Sequence, residues 1–309
     1  MRKFLIILNP IAGKGNALKA LPKINAALEA EGVSFELIQT KGPGDALNIA
    51  REHPLDDETV VVAAGGDGTC NEVANGLLLR QHDKPPLYGL LPIGRGNDFA
   101  YNSGVGEDLD KALEILVHAE PKPLDAGIVT GGYFPEGRYF VNGVGIGFDT
   151  KVGFEAAKYK IPSGFAYVVG AIICIVKYGR DPILQVDYTG ADGESGSFRQ
   201  NTALLSIMNG IRMGGVFRMA PNAKTDDGLL DFCTIRQLRS RRRLIWLVLQ
   251  YTKGAQGGFE ETTMGRALKY HITAPDGGIV AHCDGETVCT DGKELEMVCI
   301  PGALRIIKP

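Results

Sequence analysis

The chain has 309 residues, of which 44% are hydrophobic and 22% charged, a composition typical of one or two globular domains. Its net charge of −3 argues against a basic field that would hold nucleic acid, so we expect no nucleic-acid partner. The longest apolar stretch, residues 165–176, is too short to cross a bilayer, and any membrane contact is therefore expected at the surface.

The six cysteines form neither a C-x-x-C pair nor a zinc-finger spacing with histidine, which indicates reduced thiols of a cytosolic protein. The apolar run at residues 4–8 is too short for the core of a signal peptide, and Asn9-Pro10 ends it. We therefore expect a cytoplasmic protein that contacts the membrane surface transiently.

Apolar runs and helical periodicity alternate through the first part of the chain, as in a buried parallel sheet joined by helices. Strands are predicted at 4–8, 35–40, 59–64 and 87–92, and helices between 18 and 28, at 45–52 and at 72–81. This order predicts an α/β domain with helices on both faces of a parallel sheet. We place it at residues 1–122 and join segment 300–309 to it, although the final strand, 304–307, is also compatible with the second domain.

The pattern changes after Ala119, where Pro121-Lys122-Pro123 is interpreted as a linker. Beyond it, short segments rich in β-branched and aromatic residues alternate with turn residues, which is typical of an antiparallel sheet. Strands are predicted at 138–142, 184–188, 202–208 and 229–235, and helices near 165–178 and 239–252. The sequence therefore predicts a C-terminal antiparallel β-sandwich domain at residues 123–299.

The strongest local motif is Gly65-Gly66-Asp67-Gly68-Thr69, which lies between a predicted strand and a predicted helix. Glycines in this position let backbone N–H groups approach phosphate oxygens, and the helix N-terminus adds a favourable partial charge. The Asp67 carboxylate is suited to Mg²⁺ or a metal-bound water. The alternative is a tight turn in which Asp67 caps the helix.

Two further glycine-rich loops follow predicted strands. The first runs from Asn9 to Gly15 and lacks the spacing of a Walker A loop. The second, Leu91–Ala100, contains two glycines around Arg95, followed by Asn97 and Asp98, which could bond phosphate, ribose or metal. The alternatives are an ordinary strand-to-helix turn for the first loop and a helix N-cap for the second.

Together with two later segments, these three loops resemble the diacylglycerol kinase catalytic-domain family, which includes bacterial soluble lipid kinases and is similar to sphingosine and ceramide kinases. The later segments are Ala220-Pro221-Asn222-Ala223-Lys224-Thr225-Asp226-Asp227-Gly228-Leu229-Leu230-Asp231 and Asp284-Gly285-Glu286. The likeness extends from Asn9 to about Ile306. It implies a phosphofructokinase/NAD-kinase-like α/β domain and a lipid-substrate β-sandwich domain. It also implies ATP- and Mg²⁺-dependent phosphorylation of a lipid hydroxyl, of diacylglycerol or a related lipid, in the cleft between the two domains.

The resemblance implies a nucleotide site in the first domain. Its residues would be Asn9, Thr40, Gly65, Gly66, Asp67, Gly68, Thr69, Glu72, Gly94, Arg95, Gly96, Asn97 and Asp98. Where the family usually has Thr or Ser between the glycines of the third loop, this chain has Arg95. Its guanidinium could pair with a phosphate or simply point to solvent, and the sequence does not distinguish the two.

The resemblance also implies two Mg²⁺ sites. The carboxylates around the catalytic ion and its waters would be those of Asp67, Asp98 and Asp226. A second, structural ion would bind the side chain of Asp227 and the carbonyls of Lys224 and Leu229. Oxygen ligands of this kind are those that Mg²⁺ prefers. Considered alone, Asp226-Asp227-Gly228 is equally typical of a β-turn.

The residue that matches the family's general base is Glu286, with Asp284 beside it. A lipid alcohol is a poor nucleophile, so a carboxylate within hydrogen-bond reach assists its deprotonation. Considered alone, Asp284-Gly285-Glu286 is typical of a hairpin turn. Of the five histidines, His282 is the one of interest, because it is close to Glu286 in the sequence.

The sequence gives less information about which residues would bind the lipid. The segment Asn142–Gly147 could face a cleft or form a strand bulge. Residues 165–176 are interpreted either as part of an acyl pocket or as core. Residues 244–249 form an apolar run preceded by Arg236, Arg239, Arg241, Arg242 and Arg243. This order indicates either contact with an anionic membrane surface or a helix packed on the β domain with a solvated basic end.

Two other functions are weighed against the lipid kinase. A NAD kinase shares the Gly-Gly-Asp-Gly-Thr logic, but a Thr-Ala-Tyr-type recognition segment is absent from the sequence. A non-catalytic nucleotide or lipid sensor is disfavoured because all the expected carboxylates are present. The expected partner is a lipid alcohol, whose identity the sequence leaves open, and the chain is compatible with a homodimer.

Overall fold

The computed structural model describes residues 2–159, 163–177, 179, 181–238 and 240–309. The chain divides into two compact units. The first comprises Met1–Ala126 and Pro301–Pro309, and the second comprises Gly127–Ile300.

The first unit is built on a parallel sheet. Its first four strands are β1 (Lys3–Leu8), β2 (Ser34–Gln39), β3 (Thr59–Gly65) and β4 (Leu87–Pro92), which lie in the order β2-β1-β3-β4. Every neighbouring pair is parallel. The central strand β3 is buried from Val60 to Gly65, as its continuous apolar sequence predicts.

Five helices belong to the first unit. They are α1 (Ala12–Ala30), α2 (Asp45–Glu52), α3 (Asp67–Leu78), α4 (Asp98–Asn102) and α5 (Leu109–His118). Helix α1 packs against α5 and α2 packs against α3, which confirms the prediction of an α/β unit with helices on both faces. The predicted loop before α1 persists as a break: Gly13, Lys14 and Gly15 have φ of 59°, 61° and 87°. Helix α3 begins at Asp67, five residues before its predicted start at Glu72.

The described part of the second unit contains antiparallel strands and three α-helices. The elements in chain order are β5 (Pro121–Gly131), β6 (Phe134–Phe140), β7 (Gly143–Gly147), α6 (Phe148–Ala156), α7 (Ser163–Val176), β8 (Ile183–Thr189), β9 (Ser195–Met208), β10 (Leu230–Arg236), α8 (Arg241–Lys253), β11 (Thr262–Ala267), β12 (Lys269–Asp276), β13 (Ile279–Cys283), β14 (Glu286–Gly292) and β15 (Glu294–Ile307). Strands β5 and β15 each extend into the first unit. The predicted linker at Pro121-Lys122-Pro123 is wrong, because β5 begins there; proline is tolerated at the first residues of a strand. Tyr178 and Arg239, which bound two predicted helices, lie outside the described residues.

The strands of the second unit form two sheets that share β9. The first part of β9 pairs with β8, and its last five residues pair with β7. Leu205 and Ile207 of β9 point into the core between the sheets, whereas Leu204 joins a second core beneath the three helices. This alternation, with period two, confirms the predicted antiparallel sandwich and adds a helical layer on one of its faces.

Strand β15 resolves the open question about the final strand. Its first residues pair with β12 in the antiparallel sense, and Arg305 and Ile306 pair with Leu87 and Tyr88 of β4 in the parallel sense. The segment 304–307 therefore extends the parallel sheet of the first unit.

Candidate functional site

The three glycine-rich loops of the first unit meet at the carboxyl ends of β1, β3 and β4. The Asn9 side chain donates from Nδ2 to Oγ1 of Thr69 at 3.1 Å, and the Ile93 amide donates to the Gly65 carbonyl at 2.8 Å. The order β2-β1-β3-β4 changes direction between β1 and β3, the position at which open α/β sheets bind ligands. The motifs that the sequence singled out are thus brought together at one edge of the sheet.

The loops after β3 and β4 approach so closely that only glycine fits. A Cβ added to Gly94 would lie 2.4 Å from the Cα of Gly66, closer than such atoms ever come. At Gly68, by contrast, nothing lies within 4 Å of an added Cβ. The first residues of α3 therefore border open space, into which a phosphate group could enter.

The carboxylate of Asp67 contacts the backbone next to Asp98, a second residue of the predicted nucleotide and metal site. Asp67, in the first turn of α3, accepts a hydrogen bond at Oδ1 from the amide of Phe99 at 3.0 Å. Phe99 directly follows Asp98, which is only 7% exposed. The pairing fixes the start of α3 against the start of α4.

Asn97 holds its own loop in shape. Its φ of 52° is left-handed, and its Oδ1 accepts a hydrogen bond from the Gly94 amide at 2.9 Å. Arg95 and Gly96 lie between these two residues, with Arg95 on the surface. The Asn97 side chain therefore stabilises the turn. The predicted contacts of Asn97 and Arg95 with a nucleotide stay predictions.

Glu72 and Thr40 lie at the same edge of the sheet but are engaged with the backbone. The Glu72 carboxylate accepts hydrogen bonds from the amides of Gly44 and Ala46, at 2.9 and 3.2 Å, at the N-terminus of α2. Thr40 follows β2, is buried, and donates its amide to the Leu8 carbonyl at 2.9 Å. The carboxylate of Glu72 thus caps a helix, and its predicted contact with the nucleotide stays a prediction.

In the second unit, Asp284 and Gly285 form the two-residue turn between β13 and β14. Both have left-handed φ, 45° and 88°, which is the conformation of a type I′ hairpin turn. The Asp284 carboxylate accepts hydrogen bonds from the amides of Val141 at 2.8 Å and Gly143 at 2.7 Å. The hairpin interpretation is therefore correct, and the Asp284 side chain fixes the turn to Val141 and to the first residue of β7.

Glu286, the predicted base, is the first residue after this turn. Its Oε1 accepts a hydrogen bond from Nη2 of Arg138 at 2.8 Å, and its side chain is 41% exposed. Arg138 is largely buried, so it orients the Glu286 carboxylate from the protein interior and leaves that carboxylate accessible to solvent. Asp284 and Arg138 together hold Glu286 in a defined position.

Asp149 is a candidate that the motif analysis missed, and it lies near His282, the histidine that the sequence singled out. Burial raises the pKa of the Asp149 carboxyl to about 7, although Thr150 and Ser206 donate hydrogen bonds to it at 2.7 and 3.1 Å. Burial lowers the pKa of His282 to about 4, so its ring is neutral near pH 7. A Cβ added to Gly145 would lie 2.4 Å from Oδ2 of Asp149 and 2.5 Å from Nε2 of His282, so the two atoms border the same small space.

These two groups lie at one end of an apolar cavity of about 60 Å³ between the helices and the sheet. The rest of its wall is apolar apart from the phenol of Tyr251. It comprises Phe148, Val152, Ala171, Ala203, Leu204, Met213, Gly214, Phe217, Met219, Ile235, Leu244, Val248 and Tyr251. The amide of Gly285 donates to Nδ1 of His282 at 3.4 Å, so the ring at the polar end of the cavity also contacts the hairpin that carries Glu286.

The predicted structural metal site lies in the loop before β10. Asp227 accepts a hydrogen bond from the Leu229 amide at 3.3 Å and lies 3.3 Å from Nη1 of Arg266. Burial, with a smaller contribution from the nearby charge of Asp227, raises the pKa of Asp231 to about 6. No group of three His, Cys, Asp or Glu side chains suited to a metal occurs in the described part of the chain. A hard ion here would therefore need backbone carbonyls such as those of Lys224 and Leu229, a donor set that fits Mg²⁺.

Comparison with known proteins gives two matches that cover most of the chain. The model of the diacylglycerol kinase catalytic domain matches residues 3–129. That of the YegS C-terminal NAD kinase beta sandwich-like domain matches residues 142–308. The chain belongs to the diacylglycerol kinase family. The resemblance inferred from the five motifs is therefore confirmed. This protein is accordingly a kinase of the lipid kinase type.

Similar proteins agree with this membership. The "Diacylglycerol kinase" of Bacillus subtilis (strain 168) is 30% identical over 77% of this chain and 75% of its own length. The "Probable lipid kinase YegS" of Salmonella arizonae is 30% identical over 99% and 95%. The crystal structure of a diacylglycerol kinase from Bacillus anthracis str. Sterne superimposes with a TM-score of 0.71 over all of this chain and 97% of that one, at 22% identity, and shows the same fold.

Proposed function

We propose that this family member transfers the γ-phosphoryl group of ATP to the hydroxyl of a lipid alcohol, diacylglycerol or a related lipid. The observation that carries the lipid part of this proposal is the apolar cavity that ends in Asp149 and His282. The names of the similar proteins support the same acceptor class. We place the reaction in the cytoplasm, at the membrane surface where such lipids reside.

The nucleotide phosphates would bind at the carboxyl ends of β1, β3 and β4. Backbone amides at Gly66 to Thr69 and the N-terminus of α3 would stabilise their negative charge. Mg²⁺, held through Asp67 and Asp98 and by Asp226, would neutralise the charge that develops on the transferring group. Arg95 is exposed at the tip of the third loop, where a guanidinium suits a phosphate oxygen.

On the acceptor side, Glu286 would remove the proton from the lipid hydroxyl. At the same time the lipid oxygen would form the new bond to the γ-phosphorus, and ADP would depart. Arg138 and Asp284 position this carboxylate without reacting themselves. The role of Asp284 is therefore proposed as positioning rather than as direct participation. The structural Mg²⁺ at Asp227, Lys224 and Leu229 would stabilise the loop beside β10.

The cavity, of about 60 Å³, would take a short apolar segment of the acceptor, with a neighbouring polar group next to Asp149. A carboxyl with a pKa near 7 both donates and accepts hydrogen bonds near neutral pH, which suits a hydroxyl or ester group. Among the described side chains of the stretch 165–176, Ala171 alone contributes to the cavity wall. That stretch is thus a small part of the pocket that the sequence suggested.

Replacing Asp149 by asparagine is expected to stabilise the protein at alkaline pH and to change its stability little below about pH 4. The carboxyl has its ordinary pKa of 3.8 when unfolded, whereas burial raises the folded-state pKa to about 7. Between these values the folded state keeps a proton that the unfolded state has lost, so the wild type loses stability as the pH rises. Thermal melts should show a Tm difference that grows between about pH 4 and pH 7 and then levels off.

The matched control for this variant is Asp276→Asn, which removes an exposed carboxylate of the same unit. A Tm difference that is constant across the pH range would contradict the raised pKa of Asp149. If this side chain contacts the acceptor, the variant also raises KM for the lipid and leaves KM for ATP unchanged.

The test of the proposed function is an assay with γ-labelled ATP and Mg²⁺ against a lipid panel. The panel includes diacylglycerol, monoacylglycerol, phosphatidylglycerol, a sphingoid base and an isoprenoid alcohol, with NAD as a water-soluble competitor. We expect label in the organic phase with at least one lipid and none in NADP. Label in NADP, or ATP binding without transfer to any acceptor, would contradict the proposal.

A further inference from the structure

The exposed apolar side chains of the chain are concentrated on two helices. Of the twelve large hydrophobic side chains that are exposed in the described residues, seven lie on α7 and α8. We call them the apolar face: Phe165, Val168, Ile172 and Val176 of α7, and Ile245, Trp246 and Leu249 of α8. The two helices that carry these side chains pack against each other.

Helix α7 is apolar on both sides. Its exposed residues recur at intervals of three and four, which places Phe165, Val168, Ile172 and Val176 along one stripe. The side chains of Ala171, Cys174 and Ile175 are buried in the core beneath the helices. The helix contains no charged residue, yet among the described residues no helix is both long and apolar enough to span a membrane.

Helix α8 has the same two-sided character, with cations at its ends. Leu244, Leu247 and Tyr251 are buried on its inner side. On the outer side, Arg241 and Arg242 precede Ile245 by one turn, and Lys253 follows Leu249 by one turn. An apolar centre between exposed cations is typical of a helix that lies in the interface of an anionic membrane.

The charges around the apolar face favour an anionic partner. In the predicted basic run, Arg236 and Arg243 pair with Glu260 and Glu261, and Arg241 and Arg242 are exposed. Arg239 lies outside the described residues. Beside α7, Glu155 is only 16% exposed and is covered by two exposed lysines, Lys158 and Lys177. Glu155 and Glu261 are thus recessed beside more exposed cations, whereas Glu260 is 79% exposed, in a chain whose net charge is −3.

We propose that the apolar face is a docking surface for an anionic lipid bilayer. The inference rests on the proposed lipid acceptor, because the same helices form part of the wall of the acceptor cavity, through Ala171 of α7 and Leu244 and Val248 of α8. Docking by this surface brings the cavity within one helix layer of the lipid. A second copy of the chain fits less well, since stacking α8 on its copy in either direction opposes cations.

Trp246 gives this surface a built-in reporter, as it is the single tryptophan of the chain. Its ring is 36% exposed and packs edge-on against Phe259, with the Arg243 guanidinium 4.4 Å from its centroid. Tryptophan in such a position favours the boundary between lipid and water. Contact with a bilayer would move its emission to shorter wavelength.

The experiment measures binding of the full chain to vesicles without ATP, by co-sedimentation and Trp246 fluorescence. Vesicles of phosphatidylcholine with about 30% phosphatidylglycerol are compared with pure phosphatidylcholine, at low and high salt. We expect binding and a blue shift on anionic vesicles, weakened by salt. In the double variant Phe165→Ser and Ile172→Ser, we expect a partition coefficient lower by about tenfold or more.

The matched control is the double variant Leu18→Ser and Leu79→Ser, which alters exposed leucines of the first unit and should bind as the wild type does. All four positions are exposed, and equal Tm values confirm that the variants fold. Activity on a short-chain, monomeric acceptor should be unchanged by Phe165→Ser and Ile172→Ser. If that activity is absent from the wild type, the proposed function fails, whatever the vesicles show. Absence of vesicle binding, or a dimer that the same variant dissociates, would overturn the docking proposal.

Discussion

Exchanging Glu286 for glutamine is expected to lower kcat by roughly 10²–10⁴-fold, with a much smaller change in KM for either substrate. The substitution is isosteric, so the hydrogen bond from Arg138 to Oε1 is kept while the capacity to take a proton is lost. A general base acts only as the reaction proceeds, so its loss affects the rate rather than binding. Initial rates at saturating ATP and lipid measure the effect.

The control for Glu286→Gln is Glu294→Gln in the same unit. Glu294 is also exposed and also hydrogen-bonded, to Nε2 of His271, but the hairpin of β13 and β14 does not include it. We expect this control to keep kcat within about twofold, as is usual for surface substitutions. An active Glu286→Gln enzyme, within threefold or so of wild type, would remove Glu286 from the role of base.

Replacing Asp67 by asparagine is the second change with a large expected effect, a fall in kcat/KM of roughly 10²-fold or more. Asparagine retains an oxygen to accept the hydrogen bond from the Phe99 amide, so the loops after β3 and β4 should keep their arrangement. What is lost is the negative charge that would hold Mg²⁺ through its waters. Calorimetric titration of ATP should lose most of its dependence on Mg²⁺.

Two comparisons make the Asp67 result specific. Asp83→Asn alters an exposed aspartate in the loop that precedes β4, at the opposite end of the sheet, and should leave activity unchanged. Asp67→Ala removes the hydrogen bond as well as the charge, and should lower Tm in addition. Full activity of Asp67→Asn would contradict the nucleotide and metal site in the first unit.

The sequence predicted the parallel sheet well because its strands are continuous apolar runs, as in Val60 to Ala64. The sequence did not predict the true start of α3, because the first helical turn lies in a glycine-rich segment with Gly66 and Gly68, and glycine has low helix propensity. It also misread Pro121-Lys122-Pro123, because proline at the beginning of a strand resembles a linker. Local composition specifies the element type where burial is uniform and fails where an element starts with glycine or proline.

Residues of the candidate site that belong to one local motif could be predicted from the sequence. Residues that meet only because distant segments come together could not. Asp149 follows the glycine-rich segment of β7 by two residues, yet its significance depends on His282, 133 residues later in the numbering. A single acid directly after a buried glycine-rich strand was the available signal. The stretch 165–176 was interpreted as core or acyl pocket, but its outer stripe, from Phe165 to Val176, belongs to neither. A helix that is apolar on both faces has no polar side in its sequence pattern, so the pattern does not show which face is exposed.

The central claim is most directly tested by measuring ATP consumption and lipid phosphate formation together in one reaction with Mg²⁺ and diacylglycerol-containing anionic vesicles. The account predicts one lipid phosphate for each ATP consumed, and loss of both signals when Mg²⁺ is chelated. ATP consumption without lipid phosphate, or with NADP as the product, would contradict it.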